Sequence, residues 1–415
     1  DDVESRGLGD VYKRQVYKPA QFMEDNMADI KPFVCVRPAE DVVSAVAALP
    51  YDVYNREEAC EEVKREPLSF LRIDRPETQF DSSVDMYAPE VYQKARQMLD
   101  EAMADGTYIE DSDRTYYIYE LTMDGRSQTC IVACASIDDY SNNVIKKHEN
   151  TRAEKEVDRI THVDTCSAQT GPIFLAYRAD GVINAEVAKA KENDPLYDFT
   201  SPDGIRHAVW KIASEDSVEA IERAFAGIDS IYIADGHHRA ASAYKVGLKR
   251  RAEHPGFTGD EEFNYFLSVL FPDEQLMIMP YNRVVKDLNG YSKDEFIAKI
   301  SDKFDVVKSD KPVAPAVKYT FGMYLEGQWY TLTAHEDIRP DSPVDGLDVA
   351  ILQNELLDPV LGIKNPKTDA RIDFVGGIRG LGELERRTEN DMKIAFSMYP
   401  TSIQELFAVA DAGLL

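Results

Sequence analysis

The stretch Ile231-Tyr-Ile-Ala-Asp235-Gly-His-His-Arg239-Ala-Ala-Ser-Ala-Tyr244 decides how this chain is read. Three β-prone apolar residues run into Asp235-Gly236, and an alanine-rich helix former follows. The order is strand, tight turn, helix, with His237, His238 and Arg239 in the first helical turn. The first N–H groups of a helix have no internal partner and lie at the positive end of its dipole, so they form an anion site. Gly236 lets the backbone approach a ligand closely, and Arg239 adds a planar fork suited to phosphate. Asp235, at the strand end, is a candidate metal ligand beside that anion. The plain alternative is a salt-bridged helix start with surface histidines. Two adjacent histidines and an arginine directly behind a glycine turn favour the phosphate site.

Length and composition bound the rest. A chain of 415 residues with 44% hydrophobic content can build two or three domains with their own cores. A net charge of −28 argues against a duplex-DNA partner, which requires a basic face. Cys130 and Cys134 share one face of a β-prone run, a buried-thiol pattern. No C-x-x-C pair suggests a zinc ribbon. No signal-peptide core or bilayer-spanning apolar run is evident, so the expectation is a soluble cytoplasmic protein with neither nucleic-acid nor membrane partners.

The opening residues read differently from the rest. Asp10-Val-Tyr-Lys-Arg-Gln15 back-translates to the end of a common transposon-based sequencing adapter. Residues 1–15 are therefore expected to be read-through and 16–26 upstream translation, with Met27 as the start; the segment 1–26 is set aside as a leader.

The remainder alternates between helix and strand signals, and the expected fold class is mixed α/β. A strand-like Phe33-Val-Cys-Val36 leads to Arg37-Pro38, and Asn55-Arg-Glu-Glu58 looks like an N-cap with an acidic first turn. Residues 88–103 form an amphipathic helix with Val91, Ala95, Met98 and Leu99 on one face. Strands are expected at 115–122 and 130–136, the Asp124-Gly125 pair between them giving a hairpin signal. A charged helix covers roughly 150–161, with Glu156, Asp158, Arg159 and His162 read as a solvated, internally paired face. Residues 193–204 read as a loop or linker. A helix is expected near 218–226, and strands at 266–271 and 277–279. The run Gly376-Gly-x-x-Gly380-x-Gly382 has neither Rossmann nor Walker spacing and reads as a turn. The expected divisions are 27–215 as an N-terminal α/β region, 216–290 as the nucleotide-binding region, and 291–415 as a C-terminal α/β region.

Other residues carry possible chemistry. Glu149, beside His148 where a strand-like segment gives way to helix, is a candidate general base or metal ligand. The pair is not H-E-x-x-H, so a zinc protease is excluded on spacing. Asp52, in the turn after Leu49-Pro50-Tyr51, is a second candidate carboxylate, although turn chemistry alone would also place it there. Arg283, in Tyr281-Asn282-Arg283, is either a phosphate or carboxylate clamp or a paired surface arginine.

Taken together, Met27-Ala-Asp-Ile-Lys-Pro-Phe33, Arg37-Pro38, Leu49-Pro-Tyr-Asp-Val53, Ser69-Phe-Leu71, Lys147-His-Glu149-x-Thr151, Asp158-Arg159, Ala234-Asp-Gly-His-His-Arg239, Tyr281-Asn-Arg283, Asp345-Gly-Leu-Asp-Val349, Phe374-Val-Gly-Gly377 and Tyr399-Pro-Thr401 resemble the family known as domain of unknown function ten-fifteen. The Asp-Gly-His-His-Arg box also resembles the phosphate-binding box of the ParB and sulfiredoxin-like superfamily, whose relatives include free-serine kinases. The family is expected to continue beyond Ala412-Gly413 with a Pro-Lys-Ser-Thr segment that this chain lacks, so its end is expected to be cut short.

The resemblance implies a ParB-like phosphate-binding core with additional α/β segments, and a kinase that transfers phosphate from ATP or another nucleotide donor to free L-serine, with Mg²⁺ as cofactor. On that reading Asp235, Gly236, His237, His238 and Arg239 hold phosphate, and Asp235 holds metal. Glu149 or Asp52 takes the hydroxyl proton, His237 or His238 donates to the transferring group, and Arg37, His148 and Arg283 bind the amino acid. A metal-dependent phosphohydrolase using Asp235, His148 and Glu149, or a nucleotide-responsive switch without catalysis, remains an alternative. Oligomeric state is left open.

Overall fold

The computed structural model describes residues 27–148 and 153–413, the side chains of 153–155 excepted. The expected leader at 1–26 and the candidate Glu149 lie outside the described residues.

The chain opens with β1 (Ile30–Lys31) and β2 (Val36–Pro38), then helices α1 (Val43–Val46), α2 (Arg56–Arg65) and α3 (Leu71–Asp74). Helix α4 (Pro89–Ala104) leads into β3 (Tyr108–Glu110), β4 (Tyr116–Met123) and β5 (Arg126–Ser136). There follow α5 (Ile137–Ser141), β6 (Ile145–Lys146), α6 (Ala153–Cys166), β7 (Ile173–Tyr177) and α7 (Gly181–Ala190). Next come β8 (Tyr197–Thr200), β9 (Arg206–Ile212), α8 (Glu215–Phe225), β10 (Ile231–Asp235), α9 (His237–Glu253) and β11 (Tyr265–Pro272). The remainder holds β12 (Tyr281–Val285), α10 (Lys293–Ile300), β13 (Phe304–Ser309), β14 (Thr320–Leu325) and β15 (Gln328–Ala334). It closes with α11 (Asp348–Leu352), β16 (Ile372–Gly376), α12 (Gly380–Asn390), β17 (Ile394–Met398) and α13 (Ile403–Asp411).

The class is mixed α/β. One sheet runs β6-β10-β7-β11-β5-β4-β9-β8, with β1 paired to β5; a second runs β13-β15-β14-β17-β12-β16, and β2 pairs with β3. The expected divisions at 215/216 and 290/291 do not coincide with these sheets. Strands β9 and β10 share the first sheet, and the second already begins at Tyr281.

Local sequence explains several elements directly. Asp124 and Gly125 both adopt positive φ (51° and 79°) and close β4 onto β5 with Met123 opposite Arg126, the turn that Asp-Gly favours. Asn55 and Glu58 form a reciprocal capping box on α2, and α4 buries Val91, Ala95, Met98 and Leu99 as its periodicity requires. Cys130 and Cys134 are both buried and unbonded to each other.

Three expectations fail, each for a physical reason. The 193–204 stretch contains an edge strand, β8, hydrogen-bonded to β9 through Tyr197–Thr200; its Asp and Pro content hid a short pairing segment. Residues 277–279 are not a strand, because Pro280 has no N–H to give to a ladder, and pairing begins at Tyr281. Helix α6 is not solvated on its charged face. Glu156, Arg159 and His162 recur every three residues, share one side and are buried. Their partners are mainly on other elements: Lys245 of α9 meets Glu156, and Nε2 of His162 lies 2.8 Å from the Ile73 carbonyl.

The first sheet is what aims the motif. Ile231, Tyr232 and Ile233 are fully buried between β6 and β7. Ile231 and Ile233 join the core that contains Ala240 and Ala243 of α9. Tyr232 faces the other way and stacks on Phe407 of α13, with ring centroids 3.8 Å apart. Strand β10 is thus fixed from both sides, and the turn at its end emerges at the sheet margin.

Candidate functional site

The turn at the end of β10 is built as the sequence suggests. Gly236 takes φ 90° and ψ 30°, a left-handed conformation, and α9 starts at His237 with a glycine at its N-cap, which has no side chain to offer, and no acidic residue in its first turn. The first helical bond runs from Ala240 N–H to the Gly236 carbonyl at 2.9 Å, so the preceding N–H groups are left to the surroundings. By contrast α2, α10 and α13 each close their starts with a capping box.

This turn forms one wall of a cleft of roughly 400 Å³, within the range of small-molecule sites. Asp235, Gly236, His237, His238 and Arg239 line it together with Asp52. The opposing walls come from Tyr51 and Tyr54, from Arg75-Pro76-Glu77, from Met86, Tyr87 and Tyr92, and from Asp158 and Arg159 of α6. Nδ1 of His238 is shielded from solvent and has no hydrogen-bond partner among the described residues; an orphan of this kind is uncommon in a settled interior.

The arginines of the cleft are held in place. Arg239 bonds to Asp235 at 2.8 Å and to the Pro172 carbonyl at 2.6 Å. Its guanidinium folds back over Gly236, where a Cβ would stand 3.2 Å from Nε and 3.3 Å from Cζ. Arg159 donates to Asp158 at 2.9 Å and lies 4.3 Å from the centroid of the Tyr51 ring. Burial alone would lower the Arg159 pKa, but Asp158 and Tyr51 outweigh it and the pKa is raised. Arg75 pairs with Glu77 at 2.5 Å and donates to the carbonyls of Tyr51 and Tyr54 at 3.0 and 2.8 Å, which anchors the short helical turn carrying Asp52. Asp52 is exposed.

A smaller chamber of about 20 Å³ lies behind this layer, lined by Asp74, His162 and Thr170 and sharing Tyr51, Arg159 and Arg239 with the cleft. Burial raises the Asp74 pKa, opposed by His162 and by a bond from Thr170. Burial and the neighbouring Arg159 lower that of His162. Both groups are pushed toward their neutral forms.

The remaining candidates fall in different places. The His148 ring packs edge-on against His237, centroids 4.5 Å apart, and its backbone N–H lies 3.5 Å from Nε2 of His237; it stands beside the motif. Glu149 is outside the described residues. Arg37 does not line the cleft. It pairs with Asp111 at 3.0 Å and donates to the Tyr197 hydroxyl at 2.8 Å, bracing β2. Arg283 belongs to the second sheet, with its guanidinium 5.5 and 5.3 Å from the rings of Tyr281 and Phe374. Burial pushes its pKa down to about 10. Arg75, Glu77 and Tyr92 carry no local sequence signal of a site. The charge density around Asp158 and Arg159 points to a solvated face; the three-residue spacing of Glu156, Arg159 and His162 is the signal that turns Arg159 inward.

Among the described residues no group of three or more His, Cys, Asp or Glu side chains forms a metal-binding set. A Mg²⁺ ion commonly uses one or two carboxylates together with substrate phosphates and water. Asp235 and Asp52 supply carboxylates on the same cleft, so the residues present fit an ion carried on phosphate. Among the described residues no helix is long and apolar enough to cross a membrane.

The family model described as protein of unknown function DUF1015 matches residues 30–350, and the chain belongs to that family. Among solved structures it is similar to a free serine kinase in complex with AMP, at 14% identity over 69% of this chain and 83% of that one, with a TM-score of 0.31. A mutant of a free serine kinase, also with AMP, gives the same identity and coverage and a TM-score of 0.33. SbnI with a C-terminal truncation, from Staphylococcus aureus, matches at 8% identity over 68% of this chain and 78% of its own, with a TM-score of 0.31. No curated protein matches the sequence.

Proposed function

We propose that this protein is a small-molecule kinase that moves the terminal phosphoryl group of a nucleotide, ATP by preference, to the hydroxyl of free L-serine, giving O-phospho-L-serine. The observation that carries the reading is the start of α9, opening into a cleft with a left-handed glycine at its N-cap and arginines around it. That is the arrangement in which backbone N–H groups receive phosphate oxygens. Serine as acceptor rests on the resemblance of the Asp-Gly-His-His-Arg box.

Phosphoryl transfer demands positioning and charge stabilisation more than covalent participation by the protein. The N–H groups of His237, His238 and Arg239 receive phosphate oxygens, and Arg239 and Arg159 add forked donors to the same anion. Asp235 or Asp52 would hold Mg²⁺, which would supply charge to neutralise the phosphates. The serine hydroxyl oxygen forms a bond to the terminal phosphorus while the bond from phosphorus to the bridging oxygen breaks, and the nucleoside diphosphate leaves. The hydroxyl proton passes to a carboxylate. Asp52 is the cleft carboxylate without an ion pair among the described residues, and Glu149 is the other candidate.

The test is to incubate the protein with ATP and Mg²⁺, with and without L-serine, and to follow ADP and phosphoserine. Serine-dependent release of both is expected. Phosphate released without serine would make the protein a phosphohydrolase, and nucleotide binding without turnover would make it a switch; either result overturns the proposal.

A further inference from the structure

The cleft has a neighbour without cationic side chains among the described residues. A shallow groove of roughly 650 Å³ continues from it between the start of α4 and the outer face of α6, and Tyr87, Tyr92 and Asp158 line both spaces. The chemistry changes across that junction. The cleft side carries Arg75, Arg159, Arg239 and the start of α9. Among the described residues lining the groove there is no lysine or arginine; apart from the Asp158 carboxylate at the junction, its surfaces are aromatic, aliphatic and hydroxyl or amide groups, including Gln93, Val157 and Thr161. Tyr87 and Val157 are 57% and 62% exposed, so their apolar faces are available rather than packed. Asp158, at the boundary, accepts from the Tyr92 hydroxyl at 2.8 Å and from Arg159 at 2.9 Å. Its side chain keeps 23% exposure, and a carboxylate has lone pairs for further donors.

A ligand that fills both spaces is therefore polyanionic at one end and neutral, planar and hydroxylated at the other. We infer that the groove beside α6 is the nucleoside half of the donor site, with the base lying against Tyr87 and Val157 and the ribose hydroxyls donating to Asp158. This rests on the phosphate reading of the α9 turn, and it separates a nucleotide donor from an inorganic polyphosphate, which would leave the groove empty.

The experiment compares ATP with inorganic tripolyphosphate by calorimetric titration against the wild-type chain, Tyr87→Ala and Val157→Ala. Both substitutions are at exposed positions, so the fold is retained. Wild type should bind ATP more tightly than tripolyphosphate. Loss of an aromatic face under a base costs roughly tenfold in affinity, so Tyr87→Ala should weaken ATP by about that factor and Val157→Ala by less, while tripolyphosphate should respond to Tyr87→Ala far less than ATP does and not at all to Val157→Ala. If both variants hold ATP as tightly as wild type, or wild type binds tripolyphosphate as tightly as ATP, the groove assignment is overturned while the phosphate reading stands. If wild type binds neither ligand, the phosphate reading falls and the groove assignment with it.

Discussion

Replacing Gly236 by alanine tests the phosphate turn through two separable effects. The backbone there has φ 90°, where an L side chain costs roughly 1–2 kcal/mol; the stiffer unfolded chain returns less than this. The new methyl would also stand 3.2–3.4 Å from three atoms of the Arg239 guanidinium, closer than ordinary contact. Because that group is the end of a flexible side chain, it yields, and its bonds to Asp235 and the Pro172 carbonyl are disturbed. A charge-assisted bond contributes about 1.5–3 kcal/mol, so nucleotide affinity should fall about tenfold or more. Gly236→Asn separates the effects, since asparagine tolerates the left-handed region but still carries a Cβ. Thermal denaturation should show alanine several degrees below wild type and asparagine closer to it, while nucleotide titration should find both weakened. An alanine variant with wild-type melting temperature and wild-type affinity would refute both the geometry and the role of the turn.

The turn was legible because its signal is local. Apolar β-formers, a glycine and a helix start occupy consecutive positions, as do Asp124-Gly125 and the Asn55/Glu58 capping box. The far wall of the cleft was not legible. Tyr92 and Asp158 meet only through the packing of α4 against α6, Arg75 is placed by its bonds to the Tyr51 and Tyr54 carbonyls, and nothing in the residues flanking Arg75 distinguishes it from a surface arginine. Helix α6 shows the commonest way such a reading fails. A dense run of charge normally faces water, yet here Lys245 and the Ile73 carbonyl provide partners from distant sequence, and the charged stripe turns inward. Arg37 and Arg283 show the opposite case: each stands in a memorable motif, and each lies outside the cleft with its contacts near its own strand.

The charge balance of the cleft explains why its donors must be directional. Arg75, Arg159 and Arg239 each have a carboxylate partner, in Glu77, Asp158 and Asp235, and Asp52 adds another negative group. A chain with net charge −28 does not draw nucleotides in by its long-range field. The ion pairs instead fix the planar forks, and each guanidinium has more N–H donors than its carboxylate can use.

The remaining predictions follow from the same groups. If Arg239 contacts phosphate, Arg239→Ala should weaken ATP by about 1–3 kcal/mol, and removing Asp235 as well should not restore it; full recovery in the double variant would show that Arg239 only neutralises Asp235. Asp52→Asn should lower serine-dependent turnover about 10²–10⁴-fold with ATP affinity little changed, whereas a dead Glu149→Gln beside an active Asp52→Asn would assign the base to Glu149. Asp139 is pushed up to about 7, chiefly by burial and further by the Asp29 and Asp138 carboxylates. A carboxyl raised in the folded state makes stability fall as pH rises from about 4 toward 7. Asp139→Asn should remove up to about 4 kcal/mol of that fall, at roughly 1.4 kcal/mol per unit, and an unchanged pH–stability profile would show the carboxyl to be hydrated. The last prediction concerns salt. A positive basin loses affinity steeply as ionic strength rises, whereas a site built from paired arginines and helix N–H groups inside an acidic protein does not, because screening relieves the repulsion that opposes approach while leaving short contacts nearly intact. ATP affinity should therefore stay level or rise between about 20 and 200 mM NaCl, over which the screening length shrinks from roughly 20 to 7 Å; a steep fall would mean that net positive charge, and not directed donors, holds the nucleotide.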